Sequence, residues 1–260
     1  MQVSFDDRPM GWKPDEPRAL PGYEDLFGVD TPQPYGSMSK APWTDLYQRK
    51  NTCCSHGGSY AEYAFTGVKT SPYPRHYAAL AAKYPYEAAD PNAILPDEGM
   101  SFGQILDSFQ NSGACEYKFW NPETPGFDPC KRPPWSARVD SQRHNLTVSI
   151  VLGTGDEIFS TLAVAQDRGH FPLIALNVDR AFADFTGNGI IGAQSGPTLG
   201  GHLVPMTSHK FHDGEAMIGN YWRPRLINGV WIPWGTGNLA RISRARIAEA
   251  RAGFVVHEVG

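Results

Sequence analysis

Asn51-Thr52-Cys53-Cys54-Ser55-His56-Gly57-Gly58-Ser59 is the stretch on which the reading of this chain turns. A polar loop gives way here to a run of small residues, and residues 53–66 read as a helix carrying Tyr60, Tyr63 and Phe65. Small side chains let such a helix sit deep in a fold, close to its neighbours. A thiol at a helix N-terminus also feels the positive end of the helix dipole, which favours thiolate. One of the two adjacent cysteines is therefore a candidate catalytic nucleophile, provided that the rest of the chain supplies a base and an oxyanion donor.

Composition sets the limits within which those groups must be found. The 260 residues suffice for one large domain or two lobes, and 41% hydrophobic against 19% charged content describes a globular chain. A net charge of −4 without a Lys/Arg run argues against nucleic acid as a partner. No apolar run approaches a membrane span, and the N-terminus does not read as a secretory signal. A cytoplasmic or particle-associated location is the expectation. Four cysteines do not make a disulfide scaffold in a chain of this length. Cys115 and Cys130 bracket an aromatic loop and could pair in an oxidising compartment, and the lack of a CxxC element argues against structural zinc.

Outward from the cysteines, residues 1–42 are rich in Pro, Gly and Asp and read as an extended arm that wraps the body, meets a protein partner, or trails as a tail. Tyr77 to Lys83 is strongly helix-forming. Phe102, Ile105, Leu106 and Phe109 share one helical face behind Asp97-Glu98-Gly99. Residues 113–136 form a long loop with Tyr117, Phe119, Trp120, Phe127 and Trp135, a length that is uncommon unless the loop binds something.

The second half changes character. Leu146 to Leu152 and Phe171 to Val178 read as strands around a helix from Asp156 to Arg168. Gly201 to Thr207 and Ala216 to Trp222 read as a hairpin across Asp213-Gly214, followed by strands at 230–232 and 240–242. His209, His212 and Asp213 have metal-like spacing but read as a solvated hairpin tip. Gly200-Gly201-His202 places a histidine at a strand start, and Asn220-Tyr221-Trp222 lies on the returning segment. A thiol nucleophile needs a base, and the base needs an orienting group that fixes its tautomer. Cys, His and Asn can fill those roles.

In order and content these elements resemble the papain-like cysteine peptidases. His202 follows Cys53 by 149 positions, within the spacing of about 130–150 that marks the papain pattern. Asn220-Tyr221-Trp222 resembles the family's Asn-Ser-Trp, and Trp234 to Ile242 resembles the segment that closes its barrel. The resemblance covers about 43–244. It implies an α+β, two-lobe papain-like fold: a helical lobe over about 43–140, and an antiparallel, barrel-like lobe over about 141–260, with the site in the cleft between. It further implies peptide-bond hydrolysis by Cys53, His202 and Asn220, with Trp222 shielding the His–Asn bond and with neither metal nor cofactor. Small residues at 55, 57 and 59 favour Cys53 as the family's nucleophile. The family's oxyanion glutamine stands six positions ahead of its cysteine, and Gln48 has that spacing to Cys54 but not to Cys53. Gln48 is the oxyanion candidate on the first register. His56 is expected to pack. Asn-Thr-Cys-Cys departs from the family's Gly-Ser-Cys-Trp, so a weak or inactive scaffold serving as a structural or binding protein, a phage-particle component among the options, is the alternative.

Overall fold

The computed structural model describes residues 47–209 and 214–259. The first lobe holds α1 (Cys53–Thr66), β1 (Thr70–Ser71), α2 (Tyr73–Lys83), α3 (Phe102–Asn111), β2 (Cys115–Glu116) and α4 (Trp135–Ser141). The second holds β3 (Leu146–Val151), α5 (Gly155–Asp167), β4 (Phe171–Val178), α6 (Arg180–Ala183), β5 (Ile190–Ile191), β6 (Gly200–Ser208) and β7 (Ala216–Gly219). It continues through β8 (Arg225–Ile227), β9 (Val230–Ile232), β10 (Leu239–Ile242), α7 (Arg244–Ile247) and β11 (Ala252–Val259). The expected arm at 1–42 and the hairpin tip with His212 and Asp213 lie outside the described residues. Among the described residues no helix is long and apolar enough to cross a membrane.

α1 is the pivot because its glycines permit close approach on two sides. A Cβ on Gly57 would stand 3.3 Å from Leu173 and from the Tyr221 hydroxyl, whereas one on Gly58 would stand 2.5 Å from Arg75 Nη1 and 3.0 Å from Phe109. Every residue from Cys53 to Glu62 is buried. The helix stops where Gly67 enters the left-handed region (φ 69°) and its N–H bonds to Tyr63 O.

Seven strands form one sheet in the order β3-β11-β4-β6-β7-β10-β5, antiparallel except where β10 meets β5. Both faces are covered, which is why 171–178 is buried along its whole length and apolar at every position but Asn177. Phe171, Leu173, Ala175, Leu203 and Phe254 pack toward α1, while Ile174, Leu176, Val204 and Val255 pack with Ile158 and Leu162 of α5. α3 and α5 both start with a reciprocal capping box, Ser101 with Gln104 and Thr154 with Glu157.

Several sequence expectations are corrected. α2 begins at Tyr73 rather than Tyr77, with Pro74 tolerated in the first turn, where no intrahelical N–H bond is lost. The 113–136 loop contains β2 and the start of α4, and it turns its aromatics inward: Tyr73, Trp120 and Phe127 pack edge to face and tilted, with centroids 4.7–6.2 Å apart. Trp135 stays outside. Cys115 and Cys130 are free thiols in separate clusters, the first with Tyr73 and Ala137, the second with Leu80 and Leu95. β7 ends at Gly219, so Asn220 and Trp222 lie just beyond the strand. Residues 252–259 form a strand absent from the sequence reading, and it sits inside the sheet between β3 and β4.

Candidate active site

The first turn of α1 is open where a cap would normally close it. Thr52 is the N-cap residue, yet its side chain makes no capping bond and its hydroxyl donates to Arg49 O at 2.7 Å. The leading N–H groups of a helix have no intrahelical partner. The dipole's positive end therefore falls on the Cys53 thiol and its N–H rather than on a threonine oxygen.

Cys53 and Cys54 are both buried, with their sulfurs 3.8 Å apart, but they face different surroundings. At Cys53 burial opposes ionisation. Hydrogen bonding from the Cys54 thiol, the charge and hydrogen bond of His202 and the Leu203 backbone outweigh it, and hold the thiol well below the ordinary range. Cys54 is driven the other way, by burial and by the neighbouring Cys53, with its backbone contact at Met100 only partly offsetting these. The two thiols are thus driven in opposite directions, Cys53 toward ionisation and Cys54 toward the neutral form.

β6 carries His202, and the chain just past β7 carries Asn220. His202 Nε2 lies 2.9 Å from Asn220 Oδ1. The same oxygen accepts the Tyr221 N–H at 2.7 Å, which fixes the amide with its oxygen toward the ring. Nε2 must then carry a proton, leaving Nδ1 as the nitrogen that can take up the Cys53 thiol proton and later release it. Asn220 is itself held by its N–H to Asn238 O, 2.9 Å, where Asn238 adopts a left-handed backbone (φ 65°). Trp222 stacks on the imidazole with centroids 4.7 Å apart and planes 23° apart. Phe182 meets the ring edge-on at 6.3 Å, and Trp234, whose indole N–H donates to Phe182 O at 2.7 Å, backs the pair. The His–Asn bond is thereby shut away from water, which strengthens it electrostatically.

Gln48 reaches the same region by its backbone, its N–H donating to Tyr221 O at 2.7 Å. Its side-chain amide donates to Lys50 O at 3.0 Å. His56 bonds Thr52 O through Nδ1 (2.9 Å) and packs between Tyr73 and Tyr221, each 5.5 Å away. Burial holds it down to about 4, so it is neutral at pH 7. His209 is engaged by Gln166 (2.7 Å) and Asp167 (3.2 Å). The structure brings Cys53, His202, Asn220 and Trp222 together. Sequence reasoning missed the donor role of Cys54, the Leu203 contact and the orienting Tyr221 N–H. The doubled cysteine was a visible signal for the first; backbone contacts leave no such mark in a sequence.

A helix-borne thiol set against a strand-borne His202 and the Asn220 that follows β7, between a helical lobe and an antiparallel one, defines the papain-like fold. No protein-family model and no curated protein matches the sequence. Among solved structures the chain is similar to xylellain, a cysteine protease from Xylella fastidiosa, at 14% identity with a TM-score of 0.62, over 98% of this chain and 97% of that one. It is also similar to procathepsin B S9 from Trypanosoma congolense (14% identity, TM-score 0.63, 97% and 87% covered). Bromelain from Ananas comosus aligns at 13% identity with a TM-score of 0.52, over 80% and 89%. At these identities the likeness is one of fold.

Proposed function

We propose that the protein is a cysteine peptidase acting on peptide or protein substrates, with Cys53 as nucleophile, His202 as base and then acid, and Asn220 as the group that orients His202. The observation that carries this reading is the 2.9 Å bond from His202 Nε2 to Asn220 Oδ1, which fixes the tautomer beside a Cys53 thiol whose ionisation His202 favours. The Cys53 thiolate attacks the scissile carbonyl carbon, forming an S–C bond and placing the carbonyl pair on oxygen. The Cys53 N–H, at the uncapped helix end, donates to that oxyanion. Gln48 donates a second bond once its amide leaves the Lys50 carbonyl. A good donor of this kind is worth about 3–4 kcal/mol. The collapsing intermediate expels the amine, which takes the proton from His202 Nδ1. Water, deprotonated by the same nitrogen, then cleaves the thioester and restores the thiolate.

The pH profile of thiol alkylation tests the proposal. Limiting iodoacetamide between pH 4 and 9, with adducts mapped by mass, should modify Cys53 at pH values where an ordinary thiol is inert. His202→Ala should push that profile up toward the ordinary range near 8.5. A wild-type profile with an ordinary thiol midpoint would overturn the assignment. The profile is the readout rather than the absolute rate, because Cys53 and His202 are fully buried.

That burial, with the Gln48 amide committed to Lys50, favours a second reading, in which the scaffold binds or assembles without turning over. A low-pH Cys53 adduct without cleavage of a mixed peptide library identifies that case.

A further inference from the structure

The geometry points to a zinc site formed by His76, Asp97 and Cys130, in the helical lobe and apart from the Cys53–His202 pair. His76 lies on α2 and is fully buried, yet neither ring nitrogen has a hydrogen-bond partner. A buried imidazole left with both nitrogens unsatisfied is costly and calls for a ligand. A buried thiol and a carboxylate lie close to it. His76 Nε2 and Cys130 Sγ each lie 3.9 Å from Asp97 Oδ1, and one ligating atom from each of the three residues falls within 4.8 Å of the others.

The donor set selects the metal. Imidazole, thiolate and carboxylate suit a borderline-soft ion of tetrahedral preference, whereas calcium and magnesium take oxygen shells. Zinc at about 2.0–2.3 Å from each ligand requires ligand–ligand separations of about 3.3–3.8 Å, so the cluster needs only a small contraction. Charge balances as well. Asp97 and a Cys130 thiolate neutralise the ion, and the neighbouring Lys50 is occupied by Asp128 at 2.7 and 2.8 Å. On binding, the Cys130 proton leaves to solvent and His76 coordinates as the neutral base. The exposed Asp97 edge provides entry and leaves a fourth position for water.

The ligands come from elements that no CxxC pattern would connect: α2, the segment ahead of α3, and the aromatic loop. The last two already run side by side, with the Leu95 N–H on Cys130 O at 3.0 Å. Asp97 also accepts the Asn51 N–H and the Asn51 side-chain amide, both at 3.1 Å, two residues ahead of Cys53. Metal at this site ties down the loop that leads into α1.

Cobalt(II) serves as the probe, titrated without oxygen into the full chain and into Cys53→Ala. One equivalent should give thiolate-to-cobalt charge transfer and the intense visible bands of tetrahedral cobalt in both proteins. Cys130→Ser, checked for an unchanged circular dichroism spectrum, should lose them. Absence of the bands from the wild type, their loss in Cys53→Ala, or their persistence in Cys130→Ser overturns the site. Asp97→Asn, a substitution on the exposed edge, decides the matter even if Cys130→Ser does not fold. Its zinc affinity, measured against a chromophoric chelator, should fall at least about tenfold, and an unchanged value is equally fatal.

Discussion

Thr52 spends its hydroxyl on Arg49 O instead of on the helix, and so leaves α1 uncapped at the one residue where an exposed dipole is useful. A cap is worth about 1 kcal/mol, a modest cost next to the effect of one oxyanion donor. The neighbouring polar groups make similar choices. The Asn220 oxygen is shared between His202 and the Tyr221 N–H, so Asn220→Ala both frees the imidazole to turn and strands a backbone donor. Positioned general bases contribute roughly 10²–10⁴-fold, and kcat for peptide hydrolysis should fall by about 10²-fold in this variant with KM little changed. His56 acts on stability instead. Its folded value near 4 is depressed, so it stays neutral while the unfolded chain takes up a proton below the ordinary histidine range. The unfolded state then binds more protons, and stability is lost as pH falls toward 4. Urea midpoints measured at several pH values should show the wild type losing up to about 1.4 kcal/mol per pH unit through this residue. His56→Gln, which can keep the bond to Thr52 O, should have a correspondingly shallower slope. The sequence was informative at this scale where side chains meet side chains. Small residues at 55, 57 and 59 pointed to Cys53, the thiol that His202 and the Leu203 backbone draw toward ionisation, whereas burial and Cys53 push Cys54 the other way. Gln48 was harder to place, because a loop of variable length carries no register and its amide orientation depends on a backbone carbonyl.

At the scale of elements, α1 carries a buried charge cluster at the end remote from Cys53. Glu62 accepts from Thr70 Oγ1 at 3.0 Å and meets His144 Nδ1 at 2.8 Å and Arg75 at 3.6 Å. Arg75 also donates to the carbonyls of Ser112 (3.1 Å) and His144 (3.0 Å). The cluster joins α1, α2 and the ends of α3 and α4, so it fixes the angle at which the nucleophile's helix enters the fold. Removing one partner of such a buried pair typically costs about 3–5 kcal/mol. Glu62→Ala should lower stability by that order, read from denaturant midpoints. Gly58→Ala tests the packing of the same helix. Its methyl would meet Arg75 and Phe109 at overlap distances, and overpacking of this kind costs about 1–3 kcal/mol, whereas Gly57→Ala should cost less because its nearest neighbours stand at 3.3 Å. The helix itself was legible from its small residues. The charge cluster was not: Glu62, Arg75 and His144 come from three separate segments, and no local pattern connects them.

Across the whole molecule, β3, β4, β6, β7, β9 and β10 of the second lobe were readable because they alternate or are bounded by turns, and the family-like Gly-Gly-His and Asn-x-Trp elements ordered them, whereas β5 and β8, of two and three residues, were not read. β11 escaped because Ala252 to Val256 is a short apolar run, and periodicity alone does not tell a buried strand from a buried helix. Yet β11 pairs with β3 on one side and β4 on the other, and β4 in turn pairs with the β6 that carries His202. A chain ending at Arg251 should therefore be insoluble or lack a cooperative thermal transition, rather than merely lose activity; a native-like melt of the truncated protein would contradict this. The position of β11 also acts as a clock. On the ribosome, β4 emerges with an open edge and waits for a strand made roughly seventy residues later, several seconds at roughly 5–20 residues per second. Until then the sheet under His202 is incomplete, so a nascent chain has its thiol long before it has a working base. If the protein cleaves peptides, it cannot begin before β11 has been made and paired.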